Sequence, residues 1–256
     1  MKHVVMFSGG VGSWAAAKRV AERHGTENLT LLFADTMMED EDLYRFLDEA
    51  AANVGGALVR IADGRTPWQV FEDEKFIGTN RVDPCSKHLK RKILDVWRNK
   101  NCNVNDTTIY VGIDWSEIHR LKRLQKYVAP WRYEAPMCEK PCLTKEGMLS
   151  WLRREGITPP RLYAMGFPHN NCGGFCVKAG VGHFTHLLKT MPERYAFHEQ
   201  QEQKLRAIVG DHSILRDRRG GETKPLTLKE LRERIEANDC GQLDLLEWGG
   251  CGCAVD

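Results

Sequence analysis

Long apolar runs are missing from this 256-residue chain. None approaches the roughly 20 residues that a membrane span needs, and the short apolar start, MKHVVMF, is cut off by Ser8-Gly9-Gly10. The same interruption removes a signal-peptide pattern, so the expected compartment is the cytoplasm and no membrane partner is expected. A strong net charge is missing too. With 37 basic and 35 acidic residues the formal charge is +2, so nothing global demands a nucleic acid, and any such partner must use a local patch. Internal repeats and low-complexity linkers are absent, which leaves one large domain or one domain with a small appendage. Cysteine, by contrast, is plentiful. Nine cysteines in a cytoplasmic chain, an odd number, argue against a pure disulfide framework and for metal or thiol chemistry.

Periodicity predicts alternating strands and helices. Leu29 to Ala34 reads as a buried strand and Met1 to Phe7, Ala57 to Ala62 and Thr107 to Ile113 as further strands, while Ser13 to His24, Glu41 to Val54 and Ser86 to about Arg98 read as helices. That alternation implies an α/β fold with a doubly wound parallel sheet covered on both faces. Ligands of such sheets bind beyond the carboxyl ends of the strands, where Ser8 to Ser13, Asp35-Thr36 and Gly112 to Glu117 converge. The second half is helical and rich in loops, with helices expected over Lys145 to Glu155 and Met191 to Val209 and a basic segment near Arg216 to Arg219.

Residues Met6 to Val20, MFSGGVGSWAAAKRV, place a glycine turn between a strand and a helix. Such a turn lets backbone N–H groups and the helix N-terminus face an anion, and phosphate is the expected guest. A plain strand-to-helix turn has the same composition.

Together these segments carry a family resemblance. Ser8-Gly9-Gly10-Val11-Gly12-Ser13 resembles the Ser-Gly-Gly-x-Asp-Ser pyrophosphate loop (PP-loop) of the N-type ATP pyrophosphatases, also called adenine nucleotide alpha hydrolases. The rest resembles their phosphoadenosine phosphosulfate (PAPS) reductase-like branch. Asp35-Thr36 ends the second strand as Asp-Thr does there. Cys85-Ser86-Lys87-His88-Leu89-Lys90 is similar to that branch's cysteine and basic helix start, and Gly112 to Arg120 to its Gly-x-Arg-x-x-Glu-Ser-x-x-Arg segment. Leu162-Tyr163, Gly166, Cys172 and Cys176 follow its lead into a paired-cysteine loop.

The resemblance implies a PP-loop nucleotide-binding core over residues 1–135 and a helical, loop-rich part over 136–256, packed on the core. It implies ATP or another adenine nucleotide as ligand, cradled by Ser8 to Ser13 with Gly112 and Glu117. Asp35 and Thr36 would border the adenosine end or a magnesium ion, with Asp35 in a catalytic role. Lys90 and Arg120 would offset phosphate charge. The alternatives are a turn cap for Asp35 and a solvated ion pair for Glu117 and Arg120. Gly12 departs from the pattern, because it stands where the loop carries aspartate and so removes a carboxylate that could cap the helix or hold magnesium.

Cys172-Gly173-Gly174-Phe175-Cys176 and the tail Gly250-Cys251-Gly252-Cys253 are glycine-bearing segments that let several sulfurs approach one centre. A cubane iron–sulfur cluster needs four thiolates. Cys85, Cys172 and Cys176 stand where cluster-binding members of the resembled branch carry ligands, and Ser86 stands where some carry a second adjacent cysteine. The fourth ligand of a 4Fe-4S cluster would then come from Cys251, Cys253, Cys138 or Cys142. Zinc held by Cys172 and Cys176 with His183, His186 or the tail is the competing metal. Cys102 and Cys240 read as ordinary cysteines.

A cysteine near the C-terminus attacks the nucleotide's sulfur in PAPS reductases, and Cys251 or Cys253 is similar in position, though without the neighbouring Glu and His. Such a thiolate needs a cation, for which Arg216, Arg218 and Arg219 are available. Three functions follow. One is sulfur transfer through an adenylylated substrate, with a sulfur donor and a nucleic acid acceptor. The second is sulfonucleotide reduction with a thioredoxin-like reductant, and the third a nucleotide-binding module without catalysis. A nucleic acid acceptor would use basic residues interleaved with aromatics: Lys87 to Lys92, His119, Arg120, Lys122, Arg123 and Lys126, and Trp131-Arg132-Tyr133.

Overall fold

The computed structural model describes residues 1–218, 221–238 and 249. Cys240, Cys251, Cys253 and Arg219 lie outside the described residues. Five parallel strands form one sheet in the order β3-β2-β1-β4-β5, with β1 at Lys2–Met6, β2 at Leu29–Asp35, β3 at Ala57–Ala62, β4 at Thr107–Tyr110 and β5 at Arg132–Glu134. The doubly wound α/β fold expected from the alternation is the observed one. Strand order reverses at β1, which pairs with β2 on one side and β4 on the other.

Residues of β1 alternate between two cores, as the period of a strand requires. Val5 and Phe7 pack with Trp14 of α1 (Val11–His24) and Phe46 and Leu47 of α2 (Glu41–Val54). Val4 and Met6 face the opposite core, which holds Leu94 of α5 (Ile93–Asn101) and Leu124 of α6 (Ile118–Val128). Between β3 and α5 run α3 (Pro67–Asp73), the single turn α4 (Pro84–Ser86) and a wide π-helical turn, Lys87–Lys92. The expected single helix from Ser86 is thus three conformations in succession. The β4 strand ends at Tyr110 rather than Ile113, because the chain at Gly112 turns in against the first turn of α1.

The C-terminal half does not form a separate core. Met148, Leu149 and Leu152 of α7 (Lys145–Arg154) join the α1–α2 cluster. A third cluster combines Trp68 and Phe71 of α3 with Leu162 of α8 (Arg161–Ala164), Phe184 of α9 (Val181–Thr190), Tyr195 of α10 (Pro192–Val209) and Leu231 of α11 (Leu228–Glu236). The basic segment near Arg216 lies on a small antiparallel hairpin, β6 (Leu215–Asp217) with β7 (Lys224–Leu226).

A buried carboxylate ties this hairpin and α11 to α10. Glu202 accepts from Leu228 N–H at 2.6 Å and from Ile214 N–H at 3.1 Å. Burial outweighs those donors and pushes its pKa up to about 7 from an ordinary 4.5. An acid with a raised folded pKa binds its proton more tightly when folded, so this contribution to stability is fully present below about pH 4.5 and is lost as pH rises toward 7. The denaturation midpoint is expected to fall across that window. Glu202→Gln should flatten the dependence and lower stability at the acid end by roughly 1–3 kcal/mol, because one amide oxygen faces two N–H donors. Thermal melts at several pH values check both effects.

Candidate active site

The loops that follow β1 and β4 meet at the point where the strand order reverses, and they open a cavity of about 240 Å³. Ser8, Gly10, Val11, Gly12 and Ser13 form one wall, and Gly112 and Asp114 form another. Gly10 caps α1 without a side-chain hydrogen bond, and no acidic residue lies in the first turn. The positive end of the helix dipole therefore faces the cavity without a carboxylate from its own first turn.

Gly12 has a packing reason. A Cβ at that position would lie 2.9 Å from the Gly112 carbonyl oxygen, and a Cβ at Gly112 would lie 2.7 Å from Ser13 N and 2.8 Å from Gly12 C. The two glycines let the β4 loop close directly on the helix start. An aspartate at position 12 has no room in this arrangement.

Residues from the second half complete the cavity. The Tyr163 hydroxyl accepts from Val11 N–H at 3.2 Å, and burial pushes its pKa up to about 12, so the phenol keeps its own proton to donate. Lys145 stands 4.3 Å above the Tyr163 ring and donates to Pro168 O at 2.6 Å, with its pKa lowered by burial. Asn170, fully buried, donates from Nδ2 to Gly9 O at 2.8 Å, while its Oδ1 has no hydrogen-bond partner among the described residues. Lys90 and Arg120 also border the cavity, and Arg120 pairs with Glu117 at 2.6 Å. The carboxylates at the cavity are those of Asp114 and Glu117.

Asp35 sits elsewhere. Its Oδ1 accepts from Met37 N–H at 2.8 Å, and both oxygens lie 3.0 Å from the Tyr44 hydroxyl, which holds the turn after β2. Thr36 lines a second, narrower cavity beside the first, and Gly9 lies behind the loop against Leu43.

The second cavity gathers the cysteines. Cys85, Cys172 and Cys176 all border it, with Ser86, Phe175 and Lys90. Lys90, 8% exposed, is thus common to both cavities. Behind it lies Glu39, which accepts from Thr36 Oγ1 at 2.8 Å and from Cys172 N–H. Burial raises the pKa of Glu39, while the Lys90 charge and these two hydrogen bonds pull the other way.

The cysteine loop has an unusual backbone. Cys172, Gly173 and Gly174 take positive φ of 50°, 58° and 83° in succession. Arg194 lies directly over Gly173, where a Cβ would overlap its guanidinium, and donates to Met38 O at 3.0 Å. Positive φ at a non-glycine residue costs on the order of 1 kcal/mol or more and persists where surroundings enforce it. Here Glu39 and Arg194 are the enforcing groups.

Among the described residues no group of three or more His, Cys, Asp or Glu side chains is placed to hold one metal ion. The histidines expected for zinc each place Nε2 against a backbone carbonyl. His183 Nε2 lies 2.7 Å from Gly174 O and His186 Nε2 lies 2.7 Å from Met165 O, and neither histidine borders the cysteine cavity. Cys138, whose thiol donates to Ile113 O at 3.6 Å, and exposed Cys142 do not border the cysteine cavity. Cys102 caps the end of α5. Gly249 forms an antiparallel bridge with Ala179, three residues beyond Cys176.

The sequence matches no known family model and no curated protein. Among solved structures the chain is similar to phosphoadenylyl-sulfate (PAPS) reductase from Candida auris, solved as a phosphate complex, with a TM-score of 0.45 and 9% identity over 65% of this chain and 79% of that one. It is also similar to NH3-dependent NAD synthetase from Campylobacter jejuni, solved with a nitrate ion, with a TM-score of 0.41 and 12% identity over 81% of this chain and 83% of that one. No helix among the described residues is long and apolar enough to cross a membrane.

Lys145, Tyr163 and Asn170 were not among the sequence-predicted site residues. Tyr163 stood in the Leu-Tyr-x-x-Gly segment read only as a lead into the cysteine loop, and Asn170 in the polar run PHNN directly before it. Lys145 carried no signal beyond a helix start.

Proposed function

We propose that the chain is an adenine-nucleotide-dependent enzyme of the PAPS reductase-like type that transfers sulfur to a substrate activated by adenylylation. The observation that carries this reading is Lys90, which borders both the glycine-loop cavity and the cysteine cavity. A nucleotide phosphate in the first and a sulfur centre in the second would lie on either side of one buried ammonium.

In the first step an acceptor oxygen attacks the α-phosphorus of ATP. A P–O bond forms, the α–β bridge breaks and pyrophosphate leaves. The N–H groups of the Ser8 to Ser13 loop, Lys90, Lys145 and Arg120 offset the charge that develops there. Asp114 and Glu117 are the carboxylates available to a magnesium ion, whereas Asp35 orders the turn that carries Thr36 and Glu39. In the second step hydrosulfide attacks the carbon bearing the adenylate. A C–S bond forms, and AMP leaves with the oxygen. A persulfide donor would in addition need two electrons from a dithiol reductant of thioredoxin type.

The three thiols around one cavity match a 4Fe-4S cluster in softness but fall one short in number, and as placed they form no metal-holding group among the described residues, so a cluster would need a fourth thiol and a closer approach of these three. Cys85, Cys172 and Cys176 would hold it. The fourth ligand is assigned to Cys251 or Cys253, a reading supported by the bridge of Gly249, two residues before Cys251, to Ala179. Such a cluster would supply a soft site for sulfur. Glu39 and Arg194 keep the Cys172 loop in shape for it.

Anaerobically purified protein, incubated with ATP, sulfide and in turn tRNA, single-stranded DNA or PAPS, tests the proposal. Equal amounts of AMP, pyrophosphate and acceptor-bound sulfur are expected with one of the nucleic acids. Consumption of PAPS with release of sulfite, and no pyrophosphate from ATP, would make the chain a sulfonucleotide reductase instead.

A further inference from the structure

The whole chain carries a formal charge of only +2, yet α6, Ile118–Val128, contains four Lys or Arg residues and one His with no acidic residue. Its Leu121, Leu124 and Val128 pack into the sheet, and Arg120 turns to the glycine-loop cavity, where Glu117 pairs with it. His119, Lys122, Arg123 and Lys126 are all exposed. On a helix that rises about 1.5 Å per residue, the pairs 119/123 and 122/126 each span ~6 Å along the axis, so Lys122, Arg123 and Lys126 put three positive charges on one face with His119 beside them.

Two exposed aromatic residues bracket this row in sequence. Tyr127 is 82% exposed, and Trp115 is 45% exposed with its ring held by Nε1–H donating to Leu143 O at 3.1 Å. Trp115 lies between Asp114 and Glu117, which both border the cavity. The other basic segments that the sequence offered do not extend the row in the same way. Lys90 is buried at the site itself, Tyr133 is buried, and Trp131 lies beneath the Arg98 guanidinium at 4.8 Å.

We propose that the outer face of α6, with Trp115 and Tyr127, binds single-stranded nucleic acid and leads it to the cavity mouth. Rows of cations track a phosphate backbone, and exposed rings stack on bases only where the bases are unpaired, which selects a single strand over a duplex. The inference rests on the sulfur-transfer reading for its purpose, since the strand would carry the acceptor group.

Fluorescence anisotropy of a labelled single strand of about 15 nucleotides, titrated with the full chain between about 50 and 200 mM salt, measures this directly. Binding is expected to weaken with salt at a log–log slope of about −2 to −3, as for three or four phosphate contacts on a single strand. The triple variant K122E/R123E/K126E should lose at least ~100-fold in strand affinity and most of the salt slope, and Tyr127→Ala about tenfold. ATP affinity, measured by calorimetry on the triple variant, should be unchanged and reports that it is folded. Equal affinity for duplex and single strand, or an affinity unmoved by Tyr127→Ala and matched by heparin, overturns the proposal in favour of unspecific polyanion binding. Binding to anionic vesicles with none to the strand overturns it in favour of a lipid surface. No strand binding alongside intact ATP binding overturns this surface alone, whereas absence of ATP binding in the wild type contradicts the function proposed above.

Discussion

Gly112→Ala is expected to lower ATP affinity by about 10- to 100-fold, the equivalent of one or two displaced charge-assisted hydrogen bonds. The added methyl would meet Ser13 N at 2.7 Å and Gly12 C at 2.8 Å, both backbone atoms that cannot rotate away. The β4 loop and the start of α1 must separate, and the N–H groups that converge on the cavity separate with them. Overpacking of this kind costs roughly 1–3 kcal/mol, so the melting temperature should also fall by about 5 °C. Gly12→Asp follows from the same contact. Although it restores the aspartate of the resembled pyrophosphate loop, its Cβ would stand 2.9 Å from Gly112 O, so weaker rather than stronger nucleotide binding is expected. Calorimetric titration of both variants with ATP, alongside thermal melts, checks the pair. A Gly12→Asp variant that binds magnesium-ATP more tightly than wild type would show that the close approach of the two glycines is not what holds the loop.

Replacing Cys172 and Cys176 together by Ser is expected to remove iron, acid-labile sulfide and the broad absorbance near 400 nm from anaerobically purified protein. Sulfur transfer should fall by at least ~100-fold. ATP affinity should stay within about twofold, because neither residue borders the glycine-loop cavity. The split between the two readouts matters, since a merely misfolded variant would lose both. Stoichiometric zinc in place of iron in the wild type would contradict the cluster assignment.

Much of the fold was legible because its causes are local. LTLLFA forms a buried strand and ALVRIA an edge strand of half-buried and exposed residues, and Leu43, Phe46, Leu47 and Ala50 recur at helical spacing and all face the core. The convergence of Ser8 to Ser13 with Gly112 followed from the rule that ligand loops gather at the carboxyl ends of parallel strands. Contacts made across long sequence separations left no periodic trace. Nothing near Lys145 or Tyr163 announces that their side chains meet over the start of α1, more than a hundred residues away. The buried link from Glu39 to the Cys172 N–H is equally silent, because a glutamate after a turn resembles any helix-start carboxylate. Asp35 differs in its surroundings from what its position at a strand end suggested: it borders neither cavity, and its carboxylate accepts from Met37 N–H and the Tyr44 hydroxyl.

Gly12 shows how the two views combine. In sequence it reads as a lost carboxylate and hence as a sign of lost catalysis. In the structure it reads as half of a backbone contact that brings the β4 loop, and with it Arg120 and Glu117, to the glycine-loop cavity. Lys90, Lys145 and Arg120 place positive charge around the same space.

The measurement that bears most directly on the account is titration of the anaerobic wild-type chain with ATP, with GTP as competitor, followed by the same titration of Lys90→Met. One ATP per chain, an affinity that GTP does not match and a loss of about tenfold or more in the variant are expected for a buried ammonium that meets a phosphate. A folded wild-type chain that binds no adenine nucleotide, or a Lys90→Met variant that binds it as well as wild type, would contradict the claim that the two cavities form one site.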